Sequence, residues 1–352
     1  MASAPLPPAM KAWTFSKSGP HRKVLQLTNL PTPRPPTGSQ VLIKVAYVGV
    51  SPSDTKLMNL FPSIFVRANS TPGAEFSGTV LARGPDAQED LQVGIKTFGM
   101  LPRESHFRGY GTYCEYICLD TKTSALAVVP GALTMAEASV IGAGGVMAFL
   151  IHKYGKVPEH NDYRILVNGA SGGCGSMFVQ AAVALGAKEV VGTCSAPNVE
   201  MAKSLGASRV IDYRANAPLH QYLAKEFGDR PFDFVLDTVG AQDLYRNSKG
   251  FLKEGSIFLN IGDYMHGTYW TLWYIFVNMF WPAWFGGTPR KYVFFSGYPD
   301  HASLERLVGF VKEGKMKVNV EKVFAWEDVL DALDLINTKR VRGKIVLKVG
   351  GD

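Results

Sequence analysis

The run RILVNGASGGCGS at residues 164–176 constrains this chain more than any other. Arg164 to Asn168 read as a buried strand, and the glycines and small residues that follow force a turn. An apolar, helix-compatible stretch, 177–185, comes next, and then a second strand, 189–193. A strand turning on glycines into a helix start makes a site for a pyrophosphate. The unpaired N–H groups of the first helical turn point at the phosphates, and the helix dipole favours their charge. Ala170, Gly172 and Gly175 stand at the dinucleotide-binding spacing, with Ala170 where the first glycine usually lies; Ser171, Gly173 and Cys174 complete the turn.

The segment after the second strand bears on which dinucleotide binds. An NAD site needs an Asp or Glu about 20 residues past the glycines to hold the ribose 2′-hydroxyl. Residues 192–198, GTCSAPN, contain no acid. Ser195 and Asn198 are neutral groups that a 2′-phosphate can use, and Tyr213 and Arg214 close a third strand, 209–213, on the same side. Read without a ligand, this is an ordinary polar loop. A carboxylate there would repel a phosphate, so its absence favours NADPH over NADH.

The 352 residues are enough for two domains with a substantial core. The formal charge of +7 is spread thinly, in short clusters such as 21–23 and 339–342. With no long basic run and no RNA-recognition signature, the charge reads as solubility and anion attraction, and a nucleic-acid role is excluded. The four cysteines, Cys114, Cys118, Cys174 and Cys194, form no Cys-x-x-Cys pair, so a disulfide framework is not expected and a reducing compartment fits. Residues 1–10 have neither a charged n-region nor an apolar h-region, and a cytoplasmic location is expected.

One segment departs from the plain globular pattern. Residues 267–289 hold no charged side chain and are crowded with aromatics from Tyr269 to Phe285. The length would suit a membrane span, but Asn278, Pro282 and the Gly286-Gly287 pair interrupt it. Tryptophans also occur throughout it instead of at two interfaces. Four readings stay open: an apolar lid or substrate-pocket wall, a monotopic contact with a lipid surface, a dimer interface, and a span.

Residues 1–130 read as strands and turns, with strand-like stretches at 41–48, 76–81 and 111–118. From about Met135 helices alternate with strands at 164–168, 189–193, 209–213, 232–237, 256–261 and 292–296, which predicts a doubly wound parallel sheet. A helix at 302–313, a helical pattern around 326–336 and a strand-like tail, 341–348, follow. The fold class is α/β.

Ordered motifs along nearly the whole chain carry a family resemblance: SPSD at 51–54, PGAEFSG at 72–78, GTYCEY at 111–116, NGASGGCG at 168–175, FDFVLDTVG at 232–240 and RGKIVLK at 342–348. The chain resembles the zinc-independent medium-chain dehydrogenase/reductases of the quinone oxidoreductase and enoyl reductase group. The resemblance implies a GroES-like catalytic domain over 1–130, a Rossmann domain over 131–310 with an aromatic insertion at 264–290, and a segment, 311–352, that returns to the first domain. Zinc enzymes of this superfamily carry a cysteine near Ser51 and a Gly-His-Glu where this chain has Gly73-Ala74-Glu75. Glu75 alone cannot supply a tetrahedral zinc with three or four ligands, so no metal is expected.

Without a Lewis acid, charge on a carbonyl oxygen must be met by hydrogen-bond donors. A quinone or an α,β-unsaturated carbonyl spreads that charge, and such an apolar acceptor, in the manner of a biosynthetic enoyl reductase, is the expected substrate. The competing reading is a binding protein that uses the dinucleotide as a redox signal and docks its aromatic segment on a membrane or partner. The resemblance places Asp54 near the nicotinamide ribose and substrate, and Lys56 where it can donate to a developing enolate oxygen. Tyr113 is a candidate proton donor. Equally, Asp54 can be a helix cap, Lys56 a surface lysine and Tyr113 a packing residue. Ser51, Asp237, Thr238, Ile261 and Gly262 join the expected cofactor set, with Arg342 and Lys344 reaching for its phosphates. A monomer or homodimer is expected.

Overall fold

The computed structural model describes residues 6–60, 62–157, 162–262, 268–295, 297 and 300–350. The chain forms two compact units, one from Met1–Val146 with Tyr298–Asp352 and one from Met147–Gly297. In the first, β1 (Ala9–Thr14), α1 (His21–Val24) and β2 (Gln26–Pro31) form an antiparallel pair with a helical turn between. The long β3 (Gln40–Val50) runs into α2 (Pro52–Leu60), and β4 (Glu75–Arg83), β5 (Lys96–Met100), α3 (Arg103–Phe107), β6 (Tyr116–Asp120) and β7 (Ala125–Val128) follow.

The unit boundary falls inside α4 (Met135–Tyr154). The second unit alternates strictly: β8 (Arg164–Asn168), α5 (Gly173–Ala184), β9 (Glu189–Cys194), α6 (Val199–Ser204), β10 (Arg209–Asp212), α7 (Leu219–Phe227), β11 (Phe232–Asp237), α8 (Gln242–Arg246), β12 (Leu252–Asn260), α9 (Thr268–Phe280) and β13 (Lys291–Phe294). The chain then returns to the first unit with α10 (His301–Lys312), β14 (Val320–Ala325), α11 (Val329–Asn337) and β15 (Lys344–Lys348).

The first unit's sheet has the order β14-β15-β3-β4-β5-β7, with β6 also on β3. The tail is held there because Ile345 and Leu347, paired opposite Val50 and Val48, are fully buried with Val41, Ile43, Phe76 and Leu333 in one apolar cluster. The second unit's six strands are all parallel, in the order β10-β9-β8-β11-β12-β13. Strand order reverses between β8 and β11, and in such sheets the crevice beyond the strands' carboxyl ends takes the ligand. These are the GroES-like and Rossmann architectures that the resemblance implied.

Several boundaries differ from expectation. The units divide at 146/147 and 297/298, not at 130/131 and 310/311. The helix α10 belongs to the first unit, where Leu307 lies so close over Gly145 that a Cβ there would collide with it. The strand expected over 111–118 begins only at Tyr116. Before it, Gly111 N–H donates to Thr71 Oγ1, Tyr113 N–H to the Pro72 carbonyl, and Trp13 N–H to the Tyr113 carbonyl, so the backbone crosses its neighbours instead of running beside one. The strand expected over 256–261 extends over Leu252–Asn260; the one at 292–296 is Lys291–Phe294, and Ser296 lies outside the described residues, as do residues 264–267 of the aromatic insertion. The insertion is helical over α9, then makes a single 3-10 turn at Ala283–Phe285. Among the described residues one helix, α4, is long and apolar enough to cross a membrane; 72% of its apolar window is buried, as befits a core helix.

Candidate active site

The cofactor cradle starts where β8 stops. Gly169 takes a φ of 85°, the left-handed turn that sends the chain off the strand, and a Cβ there would strike Thr238 Oγ1. Gly175 lies against the Gly169 carbonyl, which a side chain would displace; this close approach lets α5 pack on β8. Ala170 is fully buried beside Gly192, so a Cβ is accommodated where the first glycine usually stands. The N-cap of α5 is Gly172, which has no side chain to cap the helix, and an α-helix offers no intrahelical acceptor to the N–H groups of its first turn. A pyrophosphate fits that demand.

A chain of buried polar groups crosses the carboxyl ends of the strands. Thr193 Oγ1 donates to Asn168 Oδ1 at 2.6 Å, and Asn168 Nδ2 donates to Asp237 Oδ1 at 2.8 Å. Asp237 also accepts the N–H groups of Val239, Gly240 and Ala241. Burial pushes its carboxyl upward and these bonds pull against it. Asp237, expected to touch the cofactor, instead ties down the loop after β11. Thr238 Oγ1 donates to the Asn168 carbonyl, Ile261 N–H to the Asp237 carbonyl, and Gly262 N–H to Asn260 Oδ1 at 2.8 Å. Asn260 Nδ2 in turn donates to Tyr292 Oη at 3.0 Å. Asn168, Thr193 and Asn260 were missed as site residues; each is a polar residue at or next to the end of an apolar strand, which is the signal that could have found them.

At the far end of the cradle Asn198 Nδ2 donates to Ser171 Oγ at 3.1 Å and Ser195 Oγ at 3.3 Å, while Asn198 Oδ1 is buried with no hydrogen-bond partner. A ribose hydroxyl is the donor such an orphan acceptor needs. The Arg214 guanidinium stacks on the half-exposed Tyr213, its Nε donating to Tyr213 Oη at 3.3 Å. The nearest acid in register, Asp212, pairs with Cys194 across the sheet and accepts the Arg214 N–H. It was overlooked in the sequence because it belongs to the third strand, not the second.

The first unit gathers a different cluster. Ser51 and Asp54 form a capping box at the start of α2: Asp54 Oδ2 accepts the Ser51 N–H at 2.8 Å, and Ser51 Oγ accepts from Ser53 Oγ at 3.0 Å. Tyr113 Oη donates to the same Asp54 oxygen at 3.0 Å, while Asp54 Oδ1 has no partner. Asp54 is 1% exposed, and burial raises its carboxyl to about 7 although the Ser51 N–H and Tyr113 hydroxyl favour the anion. Tyr113 is fully buried with its ring edge-on to Trp326, and desolvation followed by the Asp54 charge pushes its hydroxyl well above the ordinary range. Asp54 and Tyr113 thus meet each other, in cap and packing roles. Lys56, two residues on, lies on the exposed side of α2.

Beside them is a buried ion pair. Lys344 Nζ lies 2.7 Å from Glu75 Oε1, and Glu75 Oε2 accepts the Ala143 N–H at 3.2 Å. Burial raises the Glu75 carboxyl, with the Lys344 charge opposing it. Lys344, expected to reach cofactor phosphates, here holds its buried ammonium against Glu75. Arg342 is exposed, with its N–H on Glu321 and its carbonyl accepting from Asn319.

This donor set does not fit a catalytic zinc. Ser51 and Ala74 stand at two of the three positions, and the Glu75 carboxylate is held by an ammonium and a backbone N–H. No group of three or more His, Cys, Asp or Glu side chains among the described residues could hold a metal ion.

Two family models match: an alcohol dehydrogenase GroES-like domain over residues 37–131 and a zinc-binding dehydrogenase over 205–347. Among curated proteins the chain is 33% identical to the medium chain reductase pydE of Acremonium sp, covering 97% of this chain and 99% of that one. It is 34% identical to the trans-enoyl reductase pgmF of Aspergillus terreus, covering 99% and 98%. Among solved structures it is similar to the quinone oxidoreductase from Coxiella burnetii, with a TM-score of 0.77 and 26% identity over 97% of this chain and 100% of that one.

Proposed function

This chain belongs to the medium-chain dehydrogenase/reductase family, in its quinone oxidoreductase and enoyl reductase group, and on that premise we propose that it reduces an apolar α,β-unsaturated carbonyl at the expense of NADPH. The coarser statement stands without the proposal: it is an oxidoreductase of the medium-chain type, and the family implies a nicotinamide cofactor. The observation that carries the finer reading is the occupation of the zinc-ligand positions by Ser51, Ala74 and the Glu75–Lys344 pair. Charge on the substrate oxygen must then be met by donors, and a conjugated acceptor makes that demand small. The name of the trans-enoyl reductase relative favours an enone over a quinone.

A nicotinamide held in this cradle would supply hydride for the β-carbon, and the α-carbon would take its proton from solvent. The chain's own groups do the rest. The first turn of α5 and the Gly172 cap take the pyrophosphate, while Ser171, Ser195, Asn198 and Tyr213, with the Arg214 cation, suit a 2′-phosphate better than a carboxylate would. Lys56 donates to the carbonyl oxygen as enolate charge develops. The Ser51–Asp54 box and the Tyr113 hydroxyl hold the turn of α2 that carries Lys56.

The test follows NADPH oxidation by absorbance across a panel of enones and quinones, with a chelator present throughout. Turnover of bulky apolar enones, with kcat lowered about 10²-fold in Lys56→Met, is the expected result. Tight NADPH binding with no turnover of any conjugated acceptor would favour the redox-sensor reading. Activity lost on chelation would overturn the metal-free chemistry.

A further inference from the structure

The second unit carries a helix whose amphipathicity is inverted. The polar side of α9 faces the protein: Asn278 and Gln242 exchange two amide hydrogen bonds, at 2.8 and 2.9 Å, and Tyr245 Oη donates to the Asn278 carbonyl. The outward side is aromatic. Tyr269, Trp273, Phe276 and Phe280 recur at helical spacing, each 47–74% exposed, and Trp284 in the next turn is 81% exposed. Trp273 stacks near Phe276, and Phe276 near Phe280, so the rings form one continuous patch. Soluble proteins seldom leave such a patch in water without a use for it.

We propose that this face seats the protein on an anionic membrane surface, with α9 lying flat at the headgroup boundary. Thirteen residues reach only about 20 Å, too short to span the hydrocarbon. Four of the chain's six tryptophans lie between residues 270 and 284, and indole rings favour the lipid–water boundary. Cations gather at one end of the patch. Arg290 follows the uncharged segment directly and donates to the carbonyls of Leu252 and Lys249, which brings the exposed Lys249 beside it, and Lys291 comes next in the chain. That charge complements acidic headgroups. A second copy of the chain fits less well: the segment offers no charged side chain to build the polar rim of a protein interface.

The experiment is co-sedimentation of the full-length protein with phosphatidylcholine vesicles, with and without phosphatidylserine, supported by tryptophan quenching with bromine-labelled lipid. Binding is expected to strengthen with phosphatidylserine, weaken with salt, and fall about tenfold for each aromatic removed in Trp273→Ser/Phe276→Ser/Phe280→Ser. Lys249→Glu/Lys291→Glu should remove only the phosphatidylserine-dependent part. Should the triple variant fail to fold, Trp284→Ser gives the same readout at one highly exposed side chain. Wild-type protein that stays in the supernatant with both vesicles overturns the proposal. So does a dimer that the triple variant dissolves, which makes a second copy the occupant. A raised KM for bulky enones with vesicle binding unchanged would make the patch a substrate wall instead.

Discussion

Replacing Asp54 with asparagine should stabilise this protein at neutral and alkaline pH while leaving acid stability nearly unchanged. The carboxyl is 1% exposed and held at about 7 in the folded chain, against 3.8 when it is free in water. Burial is the dominant cause, since one carboxylate oxygen has no partner and the other has only the Ser51 N–H and the Tyr113 hydroxyl. The sign follows from proton counts. Between about 4 and 7 the folded state keeps the proton that the unfolded state has released, so stability falls as pH rises through that window and levels off above it. At about 1.4 kcal/mol per pH unit, wild type loses about 3 kcal/mol between pH 5 and pH 8 from this group alone. Asparagine carries no such charge, and its Oδ1 can still accept the Ser51 N–H that starts α2. Urea unfolding of both proteins at pH 5 and pH 8 gives the difference of differences, in which every other titrating group cancels. An Asp54→Asn variant that loses stability at pH 8, or shows the same difference at both pH values, refutes the reasoning and makes the ionised carboxylate a net support.

Two further outcomes follow from the same geometry. Lys344→Met leaves Glu75 buried without its cation and should cost about 3–5 kcal/mol in urea unfolding, more at pH 8 than at pH 5; adding Glu75→Gln should restore most of the loss. Ser195→Asp places a carboxylate beside Asn198 and should weaken NADPH far more than NADH in a fluorescence titration, whereas equal wild-type affinity for the two would contradict the reading of that loop.

How the two domains could be read in the residues, and how some roles could not, comes down to the range of the interactions. The strand–turn–helix at 164–184 was legible because each part of it is a local demand: apolar strand, left-handed Gly169, uncapped helix start. The alternation of the parallel strands was legible for the same reason, since burial on both faces writes continuous apolar runs into the chain. The motif at 51–54 announced itself too, yet the capping distance alone left Asp54 undecided between reaction and support.

What decided it was Tyr113, 59 positions away, whose hydroxyl bonds the carboxyl inside the fold, where burial raises it to about 7 against the pull of that bond. Lys344 shows the same limit over a longer span. As a cation near the end of the chain it suited a phosphate; β15 folding beside β3 buries it against Glu75, 269 positions earlier, where an unpaired charge could not be tolerated. Asp237 looked like a ligand until four donors from its own loop and from Asn168 filled its oxygens. The sequence by itself determined the family, the parallel sheet, the cradle and the lack of a zinc donor set, because spacing and residue type suffice for those. Which polar groups remain available to a ligand, and which way α9 turns its aromatic face, only the tertiary structure decided, because both depend on partners that distant segments bring together.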